Sequence, residues 1–520
     1  WQRNYNSRNG YQGLFGHGWR TPFEIWVDLN DRDGVIECCL HDETGRELRF
    51  PLPEVNQPSF SAGEGLMFRR GEEGQLLIAD TDGSVWRLFV PLPQTPSRLR
   101  LVSLSDEYDN ALLLNYDERQ RLSHIVDSAG TMTLRLEYGD PRFDDRVTAL
   151  RHNDEPRVRY RYDDGGDLHQ VIDAGGLVTR EFHYNAQHLL TRHQQAGGPS
   201  FEYHWAMFDD WRVVEHRDSA GGGCTIDYDL AAGLTTVTEN DGLRHQHRWN
   251  AQRLIVEYTD ERGEVWHYQW NDEDMLIATR DPLGHGWHFR YDEAGNLVEE
   301  EDPLGHIRLT GWLPQRALPI SVKEPNGATQ HFYYDERHAL IAEIDALGHT
   351  QRYLRDGYGQ VVQAVDANGG ISHFAYDEHG QLLRARDCSG KQTLYKYTAQ
   401  GWLSEVTDAA GERVHYRYDA AGRLTQLQRA EGWQETLSWN AQGQLDRYQG
   451  ADGRLTHYRY DAAGRLLATR NPLDGEVVRH YDARGRLTAL RNENAESYLF
   501  HWTACNLLQE EIGLDGVSTR

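Results

Sequence analysis

One heptapeptide recurs so regularly that it dictates the architecture. Tyr418-Asp-Ala-Ala-Gly-Arg-Leu424 returns as Tyr460-Asp-Ala-Ala-Gly-Arg-Leu466 and as Tyr481-Asp-Ala-Arg-Gly-Arg-Leu487. Looser copies start at Tyr291, Tyr376 and Trp439. The first residue of the motif, here called the anchor, falls at 228, 249, 270, 291, 312, 334, 355, 376, 397, 418, 439, 460, 481 and 502. Every step is 21 residues except one of 22 from 312 to 334, and Arg355 is the non-aromatic member of this series. Upstream, 116, 138, 162, 184 and 205 continue it with steps of 21 to 24. About nineteen units thus cover 101–520, and a fixed period of this length marks a repeat array.

Each unit carries two turn signals half a period apart. One is the anchor turn: Tyr291, Asp292 and Gly295; Tyr376, Asp377 and Gly380; Tyr418, Asp419 and Gly422; Tyr460, Asp461 and Gly464; Tyr481, Asp482 and Gly485. The other is Asp-x-x-Gly, as in Asp281-Pro-Leu-Gly284, Asp302-Pro-Leu-Gly305 and Asp345-Ala-Leu-Gly348. Asp bonds its own backbone two residues on, and Gly supplies the positive φ at the reversal. The segments between turns read as strands, with aromatics two apart (Phe374 and Tyr376, Tyr416 and Tyr418) on one face and charge on the other. The expected fold is all-β, a long antiparallel meander of 21-residue hairpins. The alternating turns favour hairpins over a parallel solenoid with 21-residue coils, which the period alone leaves open.

Size sets the expected shape. About 38 strands at ~4.8 Å spacing make a sheet on the order of 180 Å wide, and open sheets beyond ~10 strands curl or split. A ring of that circumference, roughly 55–60 Å across, is too wide for side chains to fill. The meander is therefore expected to spiral into a hollow β-cage. Composition agrees: hydrophobic residues make up 38% of the chain, too few for a thick core, yet 27 Tyr, 15 Trp and 14 Phe can brace a sheet. Burial of each ring is expected to contribute roughly 1.5–3 kcal/mol.

The same composition excludes functions. A net charge of −27 repels phosphate backbones, so nucleic acid is not an expected partner. No run approaches the roughly 18 apolar residues of a membrane-spanning helix. The chain opens on Trp1 without a leader-like segment, which reads as a processed or trimmed chain. Five scattered cysteines, Cys38, Cys39, Cys224, Cys388 and Cys505, read as small buried or semi-buried thiols, not as a disulfide framework. His245 and His247 share a strand face but have no third ligand at a convincing spacing. Glu299, Glu300 and Glu301 read as a solvated face. No metal, cofactor or catalytic constellation is expected.

Tyr-Asp-x-x-Gly-x-Leu at a 21-residue step resembles the YD repeat of the Rhs proteins, found also in teneurins, wall-associated proteins and insecticidal toxin complexes. The opening motif, Arg3, Tyr5 and Ser7 followed by Gly13, Gly16, Gly18 and Trp19, is similar to the start of a bacterial Rhs core. On this resemblance, 1–22 is the opening segment of the core, 23–100 an irregular β lead-in, and 101–520 the YD repeats. The resemblance implies a polymorphic-toxin shell that encloses a C-terminal toxin domain for delivery to a competitor or host cell. Such proteins are made in the bacterial cytoplasm and then secreted or delivered, many as type VI secretion effectors. It also implies an N-terminal spike-binding domain, a secretion spike protein and a loading chaperone as partners.

Departures from the family pattern matter too. The Asp-Pro-Leu-Gly segments at 281 and 302 precede His285 and His306 in mid-repeat and read as turns, not as the self-cleavage site of the family. The end plug and toxin are expected to lie outside these residues, and any toxin enzyme to lie downstream. The alternative to a container is a cell-surface glycan-binding or adhesive module built on the aromatic faces. An enzyme in its own right is the third possibility, and nothing in the sequence supplies its catalytic residues.

Overall fold

The computed structural model describes residues 1–429, 432–503 and 505–519. Among them no α-helix forms; strand follows strand from Asn4 to Thr519. Within each unit consecutive repeat strands pair antiparallel, as from Arg413–Tyr418 through Leu424–Arg429 and Gln434–Trp439 to Leu445–Gln449. The all-β antiparallel meander is thus the observed fold. Two compact units emerge, one of Trp1–Pro156 with His267–Tyr395, the other of Arg157–Trp266 with Lys396–Arg520.

In the first unit the stretch from 26 to 105 folds back on itself. Strand Trp26–Arg32 pairs with Val35–His41 on one side and with the first part of Thr95–Ser105 on the other, Val27 opposite Leu99. The remainder of Thr95–Ser105 pairs onward with Ala111–Tyr116, where the meander begins. Closing the sheet in this way gives its inward residues a second layer to pack on. Val27, Ile78, Phe89 and Leu101 are fully enclosed, and the Phe50 and Phe68 rings stack at 3.9 Å.

The repeats are built differently. Along Arg413–Tyr418 exposure alternates residue by residue, with Val414, Tyr416 and Tyr418 half-buried and Arg413, His415 and Arg417 in water. The two-faced pattern expected from the period-2 spacing is present, but the rings are half-buried, not enclosed. The rings rest on neighbouring strands and turns, as Tyr418 does beside Trp402 at 5.4 Å, and stay partly in water, so the full burial contribution expected for each ring is not reached.

Candidate functional site

The repeated element is a turn wired by one carboxylate. Asp419 Oδ1 accepts the backbone N–H groups of Ala421 and Arg423, each at 3.0 Å, while Gly422 takes φ 83°. Asp292, Asp377, Asp461 and Asp482 do the same two and four residues on, with Gly295, Gly380, Gly464 and Gly485 at φ between 75° and 85°. The Asp-x-x-Gly turns share this wiring. Asp281 accepts from Leu283 and His285 N–H, and its second oxygen meets His285 Nδ1 at 2.8 Å. At the equivalent Asp345, the His349 imidazole at 2.9 Å holds the carboxyl below the usual carboxylate range.

The anchors stitch neighbouring repeats. Tyr418 Oη donates to the Leu403 carbonyl (2.8 Å), Trp439 Nε1 to Leu424 (2.9 Å), Tyr460 to Leu445 (3.0 Å), Tyr481 to Leu466 (3.0 Å) and Trp502 Nε1 to Leu487 (2.8 Å). Tyr291 and Tyr376 reach Leu276 and Val361 in the same way. Each acceptor lies 15 residues upstream, and it is the last residue of the preceding motif. That residue also faces its own anchor across the ladder, as Leu424 faces Tyr418. A β-bulge between the anchor and the residue before it recurs, as at Arg417/Tyr418 and Arg459/Tyr460. Bulges re-aim a side chain at a defined position. Arg355, the apparent break in the series, fills the same role: its guanidinium lies 3.3 Å from the Leu340 carbonyl. The position therefore selects a long side chain with a terminal donor, not aromaticity.

Within each unit, turns of an early run of chain dock on anchor turns of a later one. In the first unit Tyr108 Oη bonds Asp335, Asn110 Nδ2 bonds the Tyr358 carbonyl, and Glu107 holds both Arg316 (2.9 Å) and His338 (2.7 Å). In the second, Gln444 Nε2 bonds the Gly197 carbonyl at 3.1 Å and Arg484 pairs with Asp241. Separations of 227, 231, 248 and 247 residues correspond to about eleven or twelve repeats. Glu107, Arg316, His338 and Gln444 carry no local signal, because their partners are fixed by the length of a run.

The opening motif makes a short hairpin nested inside a second strand pair. Tyr5 pairs with Trp19 and Gly13 with Gly16; the Tyr5 and Trp19 rings lie 5.3 Å apart. Arg3 sits over the Phe15 ring and Ser7 occupies the turn before Asn9. Gly16 and Gly18 take φ of 97° and 74°, and Gly13 is required by space, since a Cβ there would stand 2.6 Å from Glu24 Oε1. Glu24, which the sequence did not flag, is half-buried with its carboxyl turned inward; desolvation pushes that carboxyl up to about 7 although the Leu14 N–H donates to it at 2.8 Å. Arg20 beside it stacks between Tyr11 and Trp26 and bonds Asn9 and the Asp42 carbonyl.

The remaining candidates separate. Cys38 and Cys39 are buried, and burial pushes the Cys38 thiol up to about 12. Cys388 is exposed, against the expectation of buried or semi-buried thiols, because it lies in an Asp-x-x-Gly turn. The His245 and His247 rings meet edge to face at 5.4 Å, with Glu261 3.8 Å from His245. Glu299 is taken up by Arg290 across the strand pair. Asp281 and Asp302 sit in ordinary turns.

Comparison with known proteins places these features. A teneurin YD-shell family matches residues 355–501, an RHS repeat family matches 270–307 and 334–371, and a domain family of unknown function matches 1–50. The chain is 31% identical over 254 residues to double-stranded DNA deaminase toxin A of Burkholderia cenocepacia, covering 48% of this chain and 17% of that protein. It is 26% identical over 301 residues to toxin protein Tse5 of Pseudomonas aeruginosa, covering 48% of this chain and 22% of that protein. It therefore spans about a fifth of the length of these relatives. Among solved structures it is similar in fold to TcdB2-TccC3, with a TM-score of 0.61 at 14% identity over 84% of this chain and 30% of that one. A TcdB2-TccC3-TEV structure aligns over 94% of this chain and 34% of its own, with a TM-score of 0.60 at 13% identity.

Proposed function

The chain belongs to the Rhs/YD-repeat family, and from that premise we propose that it is part of the wall of a toxin shell, enclosing a C-terminal toxic polypeptide until delivery. The observation that carries this is the stitching of the repeats. Each anchor ties its strand to the preceding repeat, and each unit docks one run of turns on another. A sheet fastened in both directions leaves few free edges for aggregation and can restrain a polypeptide without a solid core. The named toxins among its relatives support the reading. We propose further that the enclosed toxin domain, an N-terminal spike-binding domain, a secretion spike protein and a loading chaperone are its partners. Synthesis in a bacterial cytoplasm followed by delivery into target cells completes the proposal.

The adhesive alternative needs aromatic faces free to stack on sugars. Here the polar end of each stitched anchor is spent on a backbone carbonyl, which favours a structural role. The test is limited proteolysis and cryo-EM of the longest natural polypeptide containing these repeats. Density inside a shell, with a C-terminal segment resistant to protease until the shell is denatured, is the expected result. A C-terminal segment digested as fast as a free chain would overturn the proposal.

A further inference from the structure

The three strands Trp26–Arg32, Val35–His41 and Glu47–Pro51 lie side by side in the first unit, with Trp26 opposite His41, Asp28 opposite Cys39, and His41 opposite Glu47. The alternation of a strand puts these side chains on one face. Cys39 Sγ, a His41 ring nitrogen and a Glu47 carboxylate oxygen all lie within 4.8 Å of one another, a span that one ion at ordinary bond lengths can bridge with small rotations.

The support around the histidine is already built. Asp28 Oδ2 stands 3.1 Å from His41 Nε2, which directs the other ring nitrogen, Nδ1, toward Glu47 at 3.8 Å. Asp28 is itself fixed by the Arg98 guanidinium at 2.7 and 2.9 Å and by Trp26 Nε1 at 3.0 Å, and the Trp26 ring stacks on His41 at 4.6 Å. A carboxylate holding the far nitrogen of an imidazole is the outer-shell arrangement that orients histidine ligands and sets their tautomer.

We propose that Cys39, His41 and Glu47 bind a single zinc ion, with Asp28 as the positioning residue for His41 and solvent water in the fourth position. One sulfur, one imidazole nitrogen and one carboxylate oxygen form a donor set suited to a borderline-soft divalent ion and poorly suited to calcium or magnesium. Zinc displaces the Cys39 proton to solvent as the Zn–S bond forms. Arg49 occupies Glu47 at 2.9 Å but also holds Glu37 at 3.3 Å, so it has a second carboxylate to keep when Glu47 turns to the metal. The ion would clip two adjacent strands of the folded-back sheet. Neither the fold nor the proposed shell role calls for it.

The test is titration of the whole chain with Co(II), which reports thiolate ligation as a near-ultraviolet charge-transfer band, followed by displacement with zinc. The expected result is one equivalent per chain, with the band lost in Cys39→Ser and retained when His245 and His247 are both changed to Ala. Glu47 is half-exposed, so Glu47→Gln tests the site without disturbing the core and should bind zinc more weakly. Asp28→Asn should weaken zinc binding by about 10- to 100-fold. Absence of a charge-transfer band in the parent, or its persistence in Cys39→Ser, would overturn the proposal.

Discussion

Residues 1–189 and 190–519 are both antiparallel β, yet they are held together in different ways. The buried apolar side chains, from Leu14 through Phe89 to Leu189, concentrate in the first region; in the second, Ala278, Val322, Ala468 and Val478 stand nearly alone. Where the sheet closes on itself, large side chains leave water. Where the repeats run on, hydrogen bonds at fixed intervals take over: an Asp, or an Asn or Thr as at Asn440 and Thr398, in the turns, and a donor at the anchors. A core tolerates variation in spacing so long as volume is filled, but a stitch needs its donor and acceptor at a constant separation. That contrast accounts for the steps of 21 residues, with one of 22, from anchor 228 onward and the looser ones before it.

The largest effect should come from breaking the core. Phe89 is fully enclosed, and Phe89→Ala should cost about 3–5 kcal/mol. Leu427 in the repeats is half-buried, so Leu427→Ala should cost less than about 2 kcal/mol. Native-state hydrogen exchange reads each region separately, and equal losses would erase the distinction. Next comes Glu24, whose folded-state pKa of about 7 lies above its ordinary 4.5. Between those values the folded chain holds a proton that the unfolded chain has released, so this group's contribution falls as pH rises through that window and stays low above it. Glu24→Gln keeps an acceptor for Leu14 and removes the titration. The variant should gain on the order of 3 kcal/mol over the parent between pH 5 and pH 8; a pH-independent difference in denaturation midpoint would sink this account.

Sequence period made the repeats legible down to single residues, since Asp-x-x-Gly and the aromatic spacing are local chemistry. Two things it could not carry. Partners such as Glu107 and His338 lie 231 residues apart, and nothing local to either residue encodes the length of a run. The closing of Trp26–Arg32 on Thr95–Ser105 likewise depends on which strands meet, in a stretch without a period. Arg355 is a different kind of miss. Its register was visible, but the property selected there, a terminal donor at the end of a long side chain, only emerges with the carbonyl it reaches.

The turns give a smaller effect that separates backbone strain from docking. Gly411 has φ 88° with nothing within 4 Å of an added Cβ, so Gly411→Ala should cost only the left-handed penalty of about 1–2 kcal/mol. At Gly464 the same atom would also stand 2.2 Å from the Gly197 carbonyl oxygen of the docked run. Gly464→Ala should therefore cost clearly more than Gly411→Ala in thermal unfolding, and similar midpoints would mean that the docked turns do not bear on each other.

The smallest effect tests the stitch itself. Tyr418→Phe keeps the ring and removes the donor to Leu403, so it should cost about 1 kcal/mol, the net value of one hydrogen bond. If the ring's packing were what mattered, the loss would be near zero. Arg355 supplies the complementary experiment, because its guanidinium serves the Leu340 carbonyl without any ring. Arg355→Tyr restores the residue common at other anchors and gives up only the additional bond to the Gly359 carbonyl. Arg355→Leu gives up both. The donor account requires the Leu variant to be the less stable of the two, with faster exchange of the amides flanking Leu340. A Leu variant as stable as the Tyr variant would return the anchor to a purely apolar role and remove the distinction between the two halves of the chain.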